Sequence, residues 1–401
     1  MGPGYTFAIL WHERGRFLTA IFAVAFSALL VTVQCGMLLG VLSIMSIPVD
    51  HAAREFKDGE AVDVWVGHPA VLSVDLGQPI PEAWALRLAR QPEFDRVEVS
   101  VLAFANWTRP FDQVARWKQR HGMAIGGATA GGSEACTIIG TRLEDGAVGL
   151  VKELRDRPGL RARLQESGAI VVDESEKERL GLERIGDVAL VNGRRARLVG
   201  WVKGVKAIGG PFVFCSLDTA RTILRFQPDQ ATFLLGRCRR AEDGAAVAAR
   251  LRQQYDDVSV FSSRELSIQT RWHWLTKTRV GIAMGITAVL GLVVGAVITS
   301  QTLYGATMAL RDQFGTLVAM GIPRWRIFGL VLNISFWVGV AGLAVALPVA
   351  FALQLGLEWS EKAKLPLPAW LVVPASAVTL LMALASGAFS LRALDLSRTV
   401  R

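Results

Sequence analysis

The chain has 401 residues, of which 51% are hydrophobic and 20% charged, and its mean hydropathy is positive. That is too apolar for an ordinary soluble protein of this length and points to the membrane class. The net charge of +9 is scattered, with no basic helix and no interleaved aromatic stretch, which excludes nucleic acid as the expected partner.

Residues 1–16 read as an amphipathic entry carrying Arg14 and Arg16, followed by an almost charge-free run from Phe17 to Ile47. Roughly 30 residues at about 1.5 Å each exceed the ~30 Å hydrocarbon core, so this run spans the bilayer and protrudes. Apolar regions of signal peptides are only about 7–15 residues long, so the run is expected to stay in place rather than be cleaved.

From 48 to 271 the composition changes to charged residues, turn signals such as Pro79-Ile80-Pro81 and Gly209-Gly210-Pro211, and short β-rich runs. Two βαβ halves are predicted in 48–106 and 225–263. The first holds a strand from Val62 to Val66, a helix from Pro81 to Gln91 and a strand from Val97 to Phe104. The second holds a strand from Thr232 to Gly236, a helix from Glu242 to Tyr255 and a strand from Val258 to Phe261. Together they suggest a split, ferredoxin-like layer. The intervening 107–224 reads as an inserted β-rich lobe, with apolar runs at Ala169 to Glu174, Val188 to Asn192 and Arg197 to Val202. The Gly/Ala-rich stretch Gly126 to Gly132 lacks G-K-[ST] and reads as a loop rather than a phosphate cradle. A stalk, 264–279, leads to the next span. The stretch Arg264 to Tyr304 contains no proline and is predicted to be one long helix.

Three further spans follow, at 280–304, 327–357 and 370–391, separated by a segment 305–326 and a short loop 358–369 and closed by a tail, 392–401. Arg14 and Arg16, then Arg311, Arg324 and Arg326, then Arg392, Arg398 and Arg401 flank alternate ends of the spans. The positive-inside rule makes those ends and both termini cytoplasmic and 48–279 extracytoplasmic. Tryptophans mark the same boundaries, Trp11 and Trp325 inside, Trp272, Trp274, Trp359 and Trp370 outside. The expected fold class is therefore an α-helical membrane protein with four transmembrane helices and an α+β extracytoplasmic domain. Gly36 with Gly40, Gly281 with Gly285, and Gly291 with Gly295 form G-x-x-x-G pairs, candidate sites of helix packing or dimerisation in lipid.

No C-x-x-C or H-E-x-x-H occurs, so no metal site is signalled. Cys136, Cys215 and Cys238 would share an oxidising compartment as one disulfide with a leftover thiol, or as three reduced residues. The sequence has no Walker A motif, so no nucleotide or other cofactor is expected on this chain. The interiors of the spans carry no Asp, Glu, Lys or Arg, which disfavours an ion-coupled secondary transporter.

Between the second and third spans, Leu310, Phe314, Leu317 and Gly321 share one helical stripe, while Arg311, Asp312 and Gln313 lie off it. Gly321 and then Pro323 stop the helix, and Arg324 begins the next span. The whole stretch from Tyr304, including Gly315 and Met320, to Arg324 resembles the cytoplasmic coupling segment of MacB/FtsX-type ABC transporter permeases, and is most similar to the DevC branch. Leu10 to Ala20, Gly168 to Leu224 and Leu391 to Val400 resemble that family's entry helix, periplasmic core and tail. The likeness departs at Gln313, where the family usually carries an acidic residue and this chain places Asp312 one position earlier.

The resemblance implies a bacterial inner-membrane permease working as a homodimer with a cytosolic ABC ATPase, which would bind the ATP and Mg. It further implies a periplasmic membrane fusion protein, a TolC-like outer-membrane channel, and a hydrophobic or glycolipid cargo. The alternative it carries is an FtsX-like regulator that activates a cell-wall hydrolase. For the topology, a cysteine placed at Asp145 or Lys362 is expected to react with an impermeant thiol reagent added to intact cells lacking the native cysteines. One at Gln313 is expected to stay unlabelled until the membrane is opened.

Overall fold

The charge-free runs form four long helices. The computed structural model describes residues 14–53, 62–109, 133–205, 210–240, 243–308, 316, 319–320, 323–359 and 365–393. The chain divides into two compact units, one formed by residues up to Val41 together with those from Arg279 onward, the other by Leu42–Thr278.

The first unit holds helices Arg14–Met45, Arg279–Met308, Arg324–Trp359 and Ala369–Ala393, here called the first to fourth spans. Each contains an apolar stretch long enough to cross a bilayer. Hydroxyls inside them are satisfied locally: Ser27 donates to the Ala23 carbonyl at 2.9 Å, Thr302 to Ile298 at 2.7 Å and Thr379 to Ala375 at 3.0 Å. Pro348 and Pro374 lie within the third and fourth spans, where neighbouring helices tolerate the missing amide. The fourth span packs against the second and the third. Small residues line these contacts. Ala25 and Ala28 meet Leu343 and Ala346 between the first and third spans, and Ser300 pairs with Ser386 at 2.8 Å between the second and fourth.

The second unit is the inter-span domain, whose helices are numbered here from α1. Its elements are α1 (Ile47–Asp50), β1 (Val64–Gly67), β2 (Ile80–Pro81), α2 (Ala83–Ala89), β3 (Phe94–Thr108), β4 (Ser133–Thr141), α3 (Lys152–Arg155), α4 (Pro158–Leu164), β5 (Ala169–Asp173), α5 (Lys177–Leu180), β6 (Val188–Val191), β7 (Arg194–Val202), β8 (Phe212–Ser216), α6 (Leu217–Leu224), β9 (Gln230–Ala231), β10 (Phe233–Cys238), α7 (Gly244–Gln254), β11 (Ser259–Ser262) and α8 (Ser263–Lys277). Strands run in the order β11-β1-β10-β3, each antiparallel to its neighbour, with Val64 opposite Gly236 and Phe233 opposite Ser100. With α2 and α7 as crossovers this is the split βαβ pattern of a ferredoxin-like layer.

Strand β3 does not stop at the edge of that layer. Its second half pairs with β4, from Val101 opposite Gly140 to Thr108 opposite Ser133. The sheet then continues through β8, β5, β7 and β6, and Trp107 of β3 comes to lie opposite Val191 of β6. Six strands thus close into a barrel, which leaves no free edge among the described strands of the inserted lobe. Strand β3 passes from layer to lobe at Val101, where its pairing with β4 begins, a few residues before the boundary that the sequence places at residue 107. Trp107 is buried in the barrel and its indole donates to the Leu180 carbonyl at 3.2 Å. Cys136, Cys215 and Cys238 are buried and form no disulfide among the described residues. Burial pushes the Cys136 thiol up to about 12, which keeps it protonated and unreactive.

One expectation is corrected. Arg264 to Tyr304 is not a single helix, because α8 ends at Lys277 and the second span starts at Arg279, with Thr278 extended at φ −97°, ψ 147°. The Thr278 hydroxyl donates to the Trp274 carbonyl at 2.6 Å and so satisfies an acceptor at the helix end. At its other end α8 is fixed by a capping box, in which Ser262 and Glu265 each accept from the other's backbone amide.

Replacing Trp107 by alanine would empty the middle of the barrel and strand the Leu180 carbonyl. The expected loss is about 3–5 kcal/mol of unfolding free energy, read as a lowered midpoint in chemical denaturation.

Candidate coupling site

The stripe and its neighbours, Leu310, Arg311, Asp312, Gln313, Phe314, Gly315, Leu317 and Gly321, lie outside the described residues. What is described nearby is helical in character. The Met320 amide donates to the Thr316 carbonyl at 3.0 Å, Met320 is 66% exposed, and the Arg326 amide donates to the Pro323 carbonyl at 2.9 Å as Arg324 opens the third span. Trp325 is exposed, and the Arg326 guanidinium lies 5.2 Å from its ring.

The six glycines do not form one seam. Gly291 and Gly295 of the second span face the first span: a side chain at Gly291 would overlap Gln34 and Leu30, and one at Gly295 would press on Ser27. Gly36 faces Leu365 and Leu367, just before the fourth span. Gly40 and Gly281 are buried, and Gly285 is half-buried.

The inter-span domain begins and ends in a polar cluster that sequence reading does not single out. Ser46 directly precedes α1, and its hydroxyl donates to Asp50 Oδ2 at 2.6 Å. Arg271 of α8 donates from Nε to Ser46 Oγ at 2.8 Å and from a terminal nitrogen to Asp50 Oδ2 at 2.6 Å. The segment leaving the domain is thereby tied to the segment entering it. At 41% and 33% side-chain exposure such a pair contributes about 0.2–1 kcal/mol, so it sets geometry more than stability. The next residue, His51, accepts at its carbonyl from the Lys152 amide at 3.1 Å, and its Nδ1 lies 2.6 Å from Glu153 Oε1. The available signal was positional: a Ser and an Asp four apart directly after one span, and an Arg eight residues before the next.

A buried carboxylate ties β3 to the segment before α3. Glu98 of β3 is almost fully buried, with Oε1 2.5 Å from Arg96 Nε and Oε2 accepting from the Val148 amide at 3.0 Å. It lies at the base of a 560 Å³ groove lined also by Leu86, Ala89, Val97, Arg142 and Asp229. Burial raises its carboxyl above the ordinary glutamate range, against the opposing pull of Arg96 and the Val148 amide.

Four membrane-length helices, with an α/β domain between the first and second, define a polytopic membrane protein. Within it, residues 285–395 match the model of the FtsX-like permease C-terminal family. That match covers most of the second span, the third and fourth spans and the segments between them. No curated protein matches the sequence. Among solved structures, the extracellular domain of the noncanonic ABC-type transporter YknZ from Gram-positive bacteria is 10% identical, with a TM-score of 0.32 over 50% of this chain and 99% of that one. The periplasmic region of MacB from Actinobacillus actinomycetemcomitans is 12% identical, with a TM-score of 0.30 over 50% of this chain and 88% of that one.

Because the folded pKa of Glu98 is raised, its ionised form weakens the fold above that pKa, and the weakening is relieved as pH falls through it. Glu98→Gln is therefore expected to be more stable than wild type at pH 8. The gap should close as urea titrations are repeated toward pH 5.

Proposed function

We propose that this chain is the membrane-embedded permease subunit of an ATP-driven ABC exporter, with both termini in the cytoplasm of a bacterial cell and the inter-span domain outside its inner membrane. The observation that carries the reading is the FtsX-like permease match over 285–395, which includes the segment whose residues resemble a coupling helix. ATP and Mg would sit on a partner ATPase, since the sequence lacks a Walker A cradle. A homodimer of permeases, a membrane fusion protein, a TolC-like duct and a hydrophobic or glycolipid cargo of the DevC kind complete the proposal.

In this reading Phe314 is the aromatic anchor that fills a pocket on the ATPase, and the second span conveys the movement of that corner. The extended residue at Thr278 then matters. Motion reaches the inter-span domain through a joint, not along a continuous rod.

Two substitutions separate docking from transmission. Phe314→Asp is expected to weaken ATPase binding by about 2 kcal/mol or more, so that the ATPase no longer copurifies. Leu290→Pro, in the middle of the second span, breaks that helix at a cost of about 3 kcal/mol; it should keep the ATPase bound and hydrolysing while export stops. A stoichiometric ATPase and normal export in Phe314→Asp would remove the corner from the mechanism. A copurifying cell-wall hydrolase in place of a fusion protein would favour the regulator instead.

A further inference from the structure

The ferredoxin-like layer ends differently on its two sides. On one side lies β11, where the Arg252 guanidinium donates to the Val260 carbonyl at 2.8 and 3.1 Å. On the other, β3 pairs with β10 from Phe94 to Ser100 and meets β4 only from Val101 onward. Among the described residues no strand lies beside Phe94 to Val99 on the side away from β10. This leaves about 17 Å of strand edge, at roughly 3.3 Å per residue. Successive residues of a strand turn their amide and carbonyl alternately to its two sides, so part of this backbone faces outward without a ladder partner.

That edge is the floor of the 560 Å³ groove, whose walls carry Glu82, Ala85, Leu86 and Ala89 from α2 and the start of α2, and Arg142 and Asp229 from the flanking loops. Leu86 is an apolar side chain that is 71% exposed. Charge does not select a ligand here. Glu98 is answered by Arg96 and Glu82 by Arg221, while Arg142 and Asp229, both exposed, are of opposite sign. A compact apolar molecule would cover Leu86 and give the backbone groups of the edge no partner. An extended polypeptide does both, since its amides and carbonyls continue the ladder while alternate side chains lie against Leu86 and Ala89. The walls also recess the edge. A second folded copy, whose own edge is equally recessed, cannot bring its strand alongside, whereas a lone segment can enter.

We propose that this groove binds an extended segment of another protein as an added strand beside β3. The segment is uncharged over the stretch that pairs and presents an apolar residue to Leu86. Binding of this kind needs only the folded inter-span domain, so loss of ATPase binding or export in the Phe314 experiment would leave it untouched.

The test uses the full-length chain in lipid nanodiscs and, as probe, a fluorescein-labelled seven-residue peptide that alternates valine and threonine. Binding is read by fluorescence anisotropy against empty nanodiscs. Saturable binding is expected below 1 mM, and a peptide of the same sequence N-methylated at every amide is expected to bind at least tenfold more weakly. Ala89→Trp, at an exposed position on α2, fills the groove and is expected to weaken the parent peptide at least tenfold. Should that variant not fold, Leu86→Asp carries the same expectation. No binding of the parent peptide at 1 mM would overturn the proposal, as would equal binding of the methylated peptide or unchanged binding to the folded variants. Binding seen only once residues 110–132 are deleted would assign the groove to that segment of the chain instead. Disulfide-linked dimers of Ala89→Cys, in a chain freed of its native cysteines, would assign it to a second copy.

Discussion

The architecture of the inter-span domain depends on one strand. Fifteen residues of β3 pair with β10 at one end and with β4 and β6 at the other, so the ferredoxin-like layer and the barrel share a backbone. No flexible linker separates them. The buried residues of both form one continuous core, from Val64 and Val260 through Val99 and Val101 to Trp107, Ile138 and Val213. A lobe joined in this way cannot tilt without bending a strand hydrogen-bonded on both sides. Movement of the domain is then movement of layer and lobe together.

The spans obey a different constraint. Lipid supplies little hydrophobic drive between helices, and close approach of backbones replaces it. Gly291 against the first span, Gly342 against Val24 and Ala25, and Gly387 against Ser335 are sites where a side chain would collide, and one at Gly295 would crowd Ser27. The second span contrasts with the others in how little of its surface the other described helices cover. Ile282, Ile286, Val289, Val293 and Val297 all lie on its open side, as suits a helix bounded by lipid.

Sequence reading recovers features that repeat over short distances. Length and absence of charge give the four spans, and short apolar runs between turn signals give strands such as Ala169–Asp173, with helices such as Gly244–Gln254 placed to within a few residues. Closure of the barrel is invisible to it, because the pairing of Trp107 with Val191 joins residues far apart in the chain. Glu98 shows the same blindness. Alternation with Val97 and Val99 puts it on the polar side of a strand, and only the fold reveals that the segment carrying Val148 covers that side. Thr278 was missed for the opposite reason: nothing so local as a proline or glycine marks the break. The candidate coupling residues around Phe314 remain a matter of pattern and resemblance, while the Arg271 cluster belongs wholly to the fold.

The break at Thr278 changes what a moving second span could accomplish. A continuous helix would carry an axial push or a twist straight into the domain, and α8 would have to follow rigidly. An extended residue between two helices passes on position but little torque, since its two backbone dihedrals are the soft coordinates of the chain. The orientation of α8 must then be set on its own side of the joint. Its capping box with Ser262, the bonds of Gln269, Thr270 and Trp274 to the loop before β2, and the reach of Arg271 to α1 do this. Of these, Arg271 is the link made by a partly exposed ion pair to the segment that continues into the first span. The entering and leaving segments are therefore tied twice on that side, by this ion pair and by the buried bonds of Val62 to Ala52 and Ser263.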